Sequence, residues 1–155
     1  MNKKLIVLIL FVFLLISTVL ISLLGKKPDP PIVRVDNISF EPNQNDNYSY
    51  NEENILVVVI DITNLNKTGD SYVINYQLNC KVKPDNAVNK IILYNVFDPA
   101  NKEYVEFTSD GLLTITLNSK VSKDFVIIAT STDDAVRAQS KMIVRLHVDQ
   151  SDNPW

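Results

Sequence analysis

Between Leu5 and Leu24 the chain runs for twenty residues without a charge, and only Ser17, Thr18 and Ser22 among them are polar. A helix of that length rises about 30 Å, the thickness of a bilayer's hydrocarbon core. Each Leu, Ile, Val or Phe at its centre favours insertion by roughly 0.3–0.6 kcal/mol, so the apolar majority outweighs three hydroxyls. A cleavable signal peptide instead carries an apolar stretch of about 7–15 residues followed by a small-x-small site. Here the corresponding residues are Ser22-Leu23-Leu24-Gly25, which place a large leucine at one of the two required small positions in either register. The segment therefore predicts a retained transmembrane helix, with residues 1–27 forming the membrane anchor and its flanking lysines.

The charges around this run set its direction. The N-terminal side carries the α-amino group, Lys3 and Lys4, while Lys26 and Lys27 on the far side are partly offset by Asp29. That bias predicts a cytoplasmic N-terminus and an outer C-terminal domain on a single-pass cell-membrane protein. Residues 28–31, Pro-Asp-Pro-Pro, form a proline-rich spacer that favours extended polyproline II. Beyond residue 27 lie eleven basic residues against eighteen acidic ones. A domain so acidic repels phosphate backbones, and nucleic acid is excluded as a partner. Cys80 is the only cysteine, so no intrachain disulfide and no ordinary Cys/His zinc site can form.

Residues 32–148 read as strands throughout. From Ser71 to Val82 the even positions are Tyr72, Ile74, Tyr76, Leu78, Cys80 and Val82, and the odd positions are nearly all polar. That alternation marks a strand with one face on a core. Residues 55–63, ILVVVIDIT, read as a more fully buried strand. Further strands are predicted at 32–40, 90–97, 104–107, 112–117, 124–130 and 140–148, with an Asp110-Gly111 turn between 107 and 112. Residues 41–54 read as a polar, Asn-rich loop, and 149–155 as a C-terminal tail. Seven or eight short strands separated by turn signals predict an all-β, antiparallel sandwich preceded by one N-terminal transmembrane helix.

This layout, and most closely the stretch VVVIDITNLNKTGDSYVINYQL, resembles the immunoglobulin-like sandwiches of archaeal and bacterial surface proteins, including the CARDB and fibronectin type III kinds. The resemblance implies a non-enzymatic binding domain. In architecture the chain is also similar to archaeal motility stator proteins, which pair an N-terminal helix with a small sandwich that grips the surface layer. The antibody-type Cys…Trp…Cys arrangement is missing, because Trp155 ends the chain and Cys80 has no mate.

No residue pattern supports catalysis, a resident metal or a cofactor. A blue-copper site needs two histidines, and His147 is the only one. A sortase-like enzyme places its histidine before its cysteine, whereas Cys80 precedes His147. The Ser-Met-x-Pro-like start of a membrane signal peptidase is absent. Cys80 falls on an apolar strand face and His147 on a polar one, so both read as structural. Asp46, Glu52 and Glu53 in one loop, and the Asp133-Asp134 pair, are acidic enough for calcium but lack the required spacing. Asn37, Asn47 and Asn66 begin Asn-x-Ser/Thr sequons open to glycosylation on an outer domain. Tyr48, Tyr50 and the terminal Trp155 are the candidate partner contacts.

These readings predict a membrane-anchored extracytoplasmic subunit. Its residues Leu5 to Leu24 meet lipid, and its domain binds a protein or glycan at the cell surface. The alternative is a secreted filament or pilus subunit that exchanges residues 32–40 as a strand after loss of the N-terminal segment.

Overall fold

The computed structural model describes residues 3–24, 30–133 and 137–149, with side chains to Val19 in the first stretch. The chain divides into two compact units, Met1–Pro31 and Ile32–Trp155.

The first unit contains one helix, α1 (Lys3–Leu24). Its larger apolar residues described, from Leu5 to Val19, are between 37% and 73% exposed, and they occur on every side of the helix. The backbone of α1 is 22 residues long, about 33 Å of helix. The part with described side chains ends at Val19, about 25 Å, and among the described residues no helix is long and apolar enough to cross a membrane.

The second unit is mostly β, with ten strands among its described residues. They are β1 (Asn37–Glu41), β2 (Asn47–Tyr50), β3 (Leu56–Asp61), β4 (Tyr72–Gln77), β5 (Asn79–Lys83), β6 (Ile92–Val96), β7 (Val105–Phe107), β8 (Leu112–Leu117), β9 (Lys123–Ser131) and β10 (Gln139–His147). A five-stranded sheet runs β2-β3-β10-β9-β6, a three-stranded sheet β4-β8-β7, and β1 pairs with β5. Inward residues of all three sheets meet in one core. Phe125, Ile127 and Ala129 of β9, Val144 and Leu146 of β10, and Leu113 and Ile115 of β8 are wholly removed from solvent. Each such side chain contributes on the order of 1.5–3 kcal/mol by leaving water, and this burial fixes the register of the strands that carry them.

Four features depart from the sequence expectation. The five-stranded sheet is mixed rather than antiparallel, because β10 runs parallel to β3, with Val144 opposite Val58. No local pattern encodes that pairing, since the two strands are distant in sequence. Residues 41–54 are not one loop but contain β2, held to β3 from Asn47↔Val59 to Tyr50↔Leu56. The 71–82 stretch is divided at Leu78, whose N–H leaves the ladder to donate to Gly111 O at 2.9 Å. Its first half then pairs with β8 and its second with β1. With β2 added and this stretch divided, the strands number ten instead of seven or eight. Residues 37–41 are already committed inside this chain, since Ile38 and Phe40 of β1 lie in its core.

Candidate interaction face

The outer face of the five-stranded sheet departs from the usual rule. A sheet with one face on the core ordinarily turns polar residues outward at alternate positions. Here β3 turns out Val57 and Val59, β9 turns out Val126 and Ile128, and β10 turns out Ile143. The register aligns three of them, Val57↔Ile143 and Ile143↔Val126. Phe97 extends the row, its N–H donating to Val126 O at 2.8 Å. With strands about 4.8 Å apart, Val57, Ile143, Val126 and Phe97 make an apolar row roughly 15 Å long. Val57 is buried by its neighbours, while Phe97 at the far end is 59% exposed.

Charge frames the row on both flanks. On one flank Arg145 donates two hydrogen bonds to Asp124, from Nε and an Nη, each at 2.8 Å. That pair fixes the Arg145 guanidinium and raises its already high pKa. On the other flank the Lys141 ammonium stands 5.0 Å from the Phe97 ring centroid. On that same flank the β2–β3 turn raises Glu52 and Glu53, leaving an open depression of about 400 Å³ above Ile55, Ile143, Val126 and Phe97. Asn51 builds that turn, its Oδ1 accepting from Glu53 N at 3.1 Å and Ile55 N at 2.8 Å, while Asn54 takes the left-handed φ of 59°. An apolar floor with both signs of charge on its rim suits a protein partner's side chains.

The candidate contacts Tyr48 and Tyr50 lie on β2, the edge strand of the same sheet. Their ring centroids are 6.1 Å apart in a T-shaped pair, and they are 49% and 53% exposed. They do not join the row. Ser49 is the β2 residue opposite Val57, so the tyrosines project from the other side of the strand, opposite Val58 and Leu56. Trp155 lies outside the described residues. The sequon residues Asn37, Asn47 and Asn66 are all exposed. Asn47 is opposite Val59, which places it on the side of the apolar row.

The residues weighed for chemistry are dispersed. Cys80 is on β5 and His147 on β10, strands of different sheets. Burial, helped by the Glu41 charge, pushes the Cys80 thiol up to about 11 and keeps it protonated at neutral pH. Tyr94, packed against Phe40 and Phe107, is pushed up to about 12, by burial first and then by Cys80. Asp46 turns inward, accepting from Asn43 N at 2.7 Å and from the Tyr76 hydroxyl, and burial and this carboxylate both raise the Tyr76 pKa. Asp133 accepts from Val35 N at 3.0 Å and pairs with Arg34, and Asp134 lies outside the described residues. Among the described residues no three His, Cys, Asp or Glu gather closely enough to hold a metal ion.

The chain matches no protein-family model and no curated relative. The interaction face therefore rests on its own geometry. Sequence reasoning missed it because an unbroken run such as LVVVI is the same for a strand buried on both faces and for one whose outer face awaits a cover. Phe97, a lone aromatic at the end of an alternating strand, carried no signal at all.

Proposed function

We propose that the chain is a membrane-anchored, extracytoplasmic protein. It would present an immunoglobulin-like β-sandwich and serve as a non-enzymatic binding subunit of a cell-envelope or membrane assembly. The observation that carries this reading is the row Val57–Ile143–Val126–Phe97, an apolar strip where a free-standing sheet would show water polar side chains. The anchor is supported by α1 itself. A helix apolar on all sides belongs in a protein core or in lipid, and the described apolar side chains of α1 are exposed. With the N-terminus inside and the domain outside, the three exposed sequons also stand where glycans can be added.

Filament assembly by strand exchange would demand that β1 leave β5, withdrawing Ile38 and Phe40 from the core. At roughly 1.5–3 kcal/mol for each large side chain exposed, that is a substantial fraction of a small domain's stability.

Native mass spectrometry of the protein extracted from its own membranes in mild detergent tests both readings. A full-length chain in a complex with a different protein, lost in the variant Phe97→Ser, is the expected result. A homopolymer of chains lacking the first 24 or so residues would overturn the anchor and establish the filament.

A further inference from the structure

One pole of the β domain is built from three segments far apart in sequence. Val88 N–H donates to Val33 O at 2.9 Å, Thr132 N–H donates to Ile91 O at 3.1 Å, and Val35 N–H donates to Asp133 Oδ2 at 3.0 Å. The Asn89 amide also donates to Thr132 Oγ1 at 3.1 Å. These bonds draw residues 32–35, 88–91 and 132–133 into one surface. From it project Ile32, Val88 and Ile91, which are 72%, 73% and 65% exposed, although Ala87 and Val35 beside them are buried. Isolated exposed aliphatics are ordinary, but three on tethered segments at a single pole are an apolar cap.

Charge and chain connectivity identify the surface that this cap meets. Acidic residues outnumber basic ones by seven beyond residue 27. Over residues 30–36, 84–92 and 132–138, however, Arg34, Lys90 and Arg137 stand against Asp36, Asp85, Asp133 and Asp134, a net of only one negative charge. The acidity that would repel headgroups is thus borne chiefly by the rest of the domain. Ile32 also follows Leu24, the last residue of α1, by only eight residue steps, at most about 28 Å of fully extended chain. We infer that this pole rests on the lipid surface, with Ile32, Val88 and Ile91 inserted among the headgroups of a zwitterionic bilayer. The inference rests on the membrane-anchored reading of α1. A headgroup layer is only about 6 Å thick, so aliphatic side chains at a pole reach its acyl boundary without disturbing the fold. With only one net negative charge at the pole and a zwitterionic surface below it, this contact is held by apolar burial and depends little on salt.

The test uses the full chain in phosphatidylcholine vesicles, in a Cys80→Ala background. Single cysteines introduced by Val88→Cys, Ile91→Cys and Asn118→Cys carry an environment-sensitive fluorophore, and a fraction of the lipid bears a nitroxide near the headgroup. Asn118 follows β8 at its Leu117 end and is exposed, which makes it the control. Fluorescence at positions 88 and 91 is expected to fall at least twofold when nitroxide lipid is present and at position 118 to stay constant. The same quenching is expected at 0.05 and 0.5 M salt. Adding Ile32→Asp and Val88→Asp to the label at position 91 is expected to abolish its quenching. Equal quenching at all three positions, or none at 88 and 91 in chains that float with vesicles after alkaline carbonate, overturns the lipid-facing pole alone. Chains that carbonate strips from the vesicles overturn the anchor, and the pole's docking with it.

Discussion

The two outer faces of the β domain obey different rules. On the sheet β4-β8-β7 the outward positions include Asn75, Gln77, Thr114, Thr116 and Glu106, and Thr114 donates its hydroxyl proton to Asn75 Oδ1 at 2.9 Å across two strands. On the five-stranded sheet the equivalent positions hold Val57, Val126, Ile128 and Ile143. Both sheets cover the same core, so core packing does not explain the difference. Backbone alternation is identical, and what differs is what each face meets: water on one side and, on the proposed reading, a partner on the other.

The strongest way to break that comparison is to show that the outer row is core by another name. Phe125→Ala, at a fully buried position, is expected to cost about 3–5 kcal/mol in urea unfolding followed by circular dichroism. Phe97→Ala should cost less than about 1 kcal/mol, because that ring already stands largely in solvent. Equal losses would mean that the row stabilises the fold and needs no partner.

Gly111→Ala comes next, with an expected loss of about 2 kcal/mol. The residue has φ +86°, and a Cβ there would lie 3.3 Å from Leu78 O and from the Tyr94 hydroxyl. Gly69→Ala is the milder counterpart, at about 1 kcal/mol, since its φ is +65° but no atom lies within 4 Å of the added carbon.

A third probe uses pH. Cys80 and Tyr94 are neutral when protonated, and both hold their protons more tightly in the folded chain, with values raised from 9.0 to about 11 and from 10.0 to about 12. Their contribution is complete below about pH 9 and is lost as pH rises through 11 and 12. The urea midpoint should therefore be flat from pH 7 to 8.5 and fall above 9, with Cys80→Ala flattening the first part of the fall. At pH 8 a thiol of pKa near 11 is about 0.1% thiolate, against roughly a tenth for a cysteine at 9.0, so maleimide labelling should be about 100-fold slower. Labelling at the ordinary rate would place Cys80 in water and break the inside-outside division.

The smallest effects fall on the faces themselves. Val126→Thr keeps the side chain's outline but adds a hydroxyl at a half-buried position, and should cost about 1 kcal/mol while weakening partner binding measurably. Thr116→Val on the other outer face should alter neither by as much. Arg145→Ala, which removes an exposed pair, is expected to stay within about 0.5 kcal/mol.

The sequence was most legible where one face met water. Tyr72, Ile74 and Tyr76 declare β4 by themselves, because their odd-numbered neighbours must be soluble. At β3 the run LVVVI reads as a more fully buried strand, and Leu56, Val57 and Val58 are buried, but the run does not show that Val57 and Val59 turn outward. The sequence was silent at β2, since Asn-Tyr-Ser-Tyr is exposed along its whole length and becomes a strand only through its hydrogen bonds to β3. The outer apolar row was illegible for a related reason. Its members come from β3, β9, β10 and the residue after β6, and only the register brings them into line.

The parallel pairing of β10 with β3 has a consequence for how the chain is made. β10 is the middle strand of its sheet, and Met142, Val144 and Leu146 complete the core. Until residue 147 has left the ribosome, β3 and β9 have no strand between them and the core stays open. A nascent chain therefore stays unravelled and threadable along its length, and its core closes only after β10 has emerged.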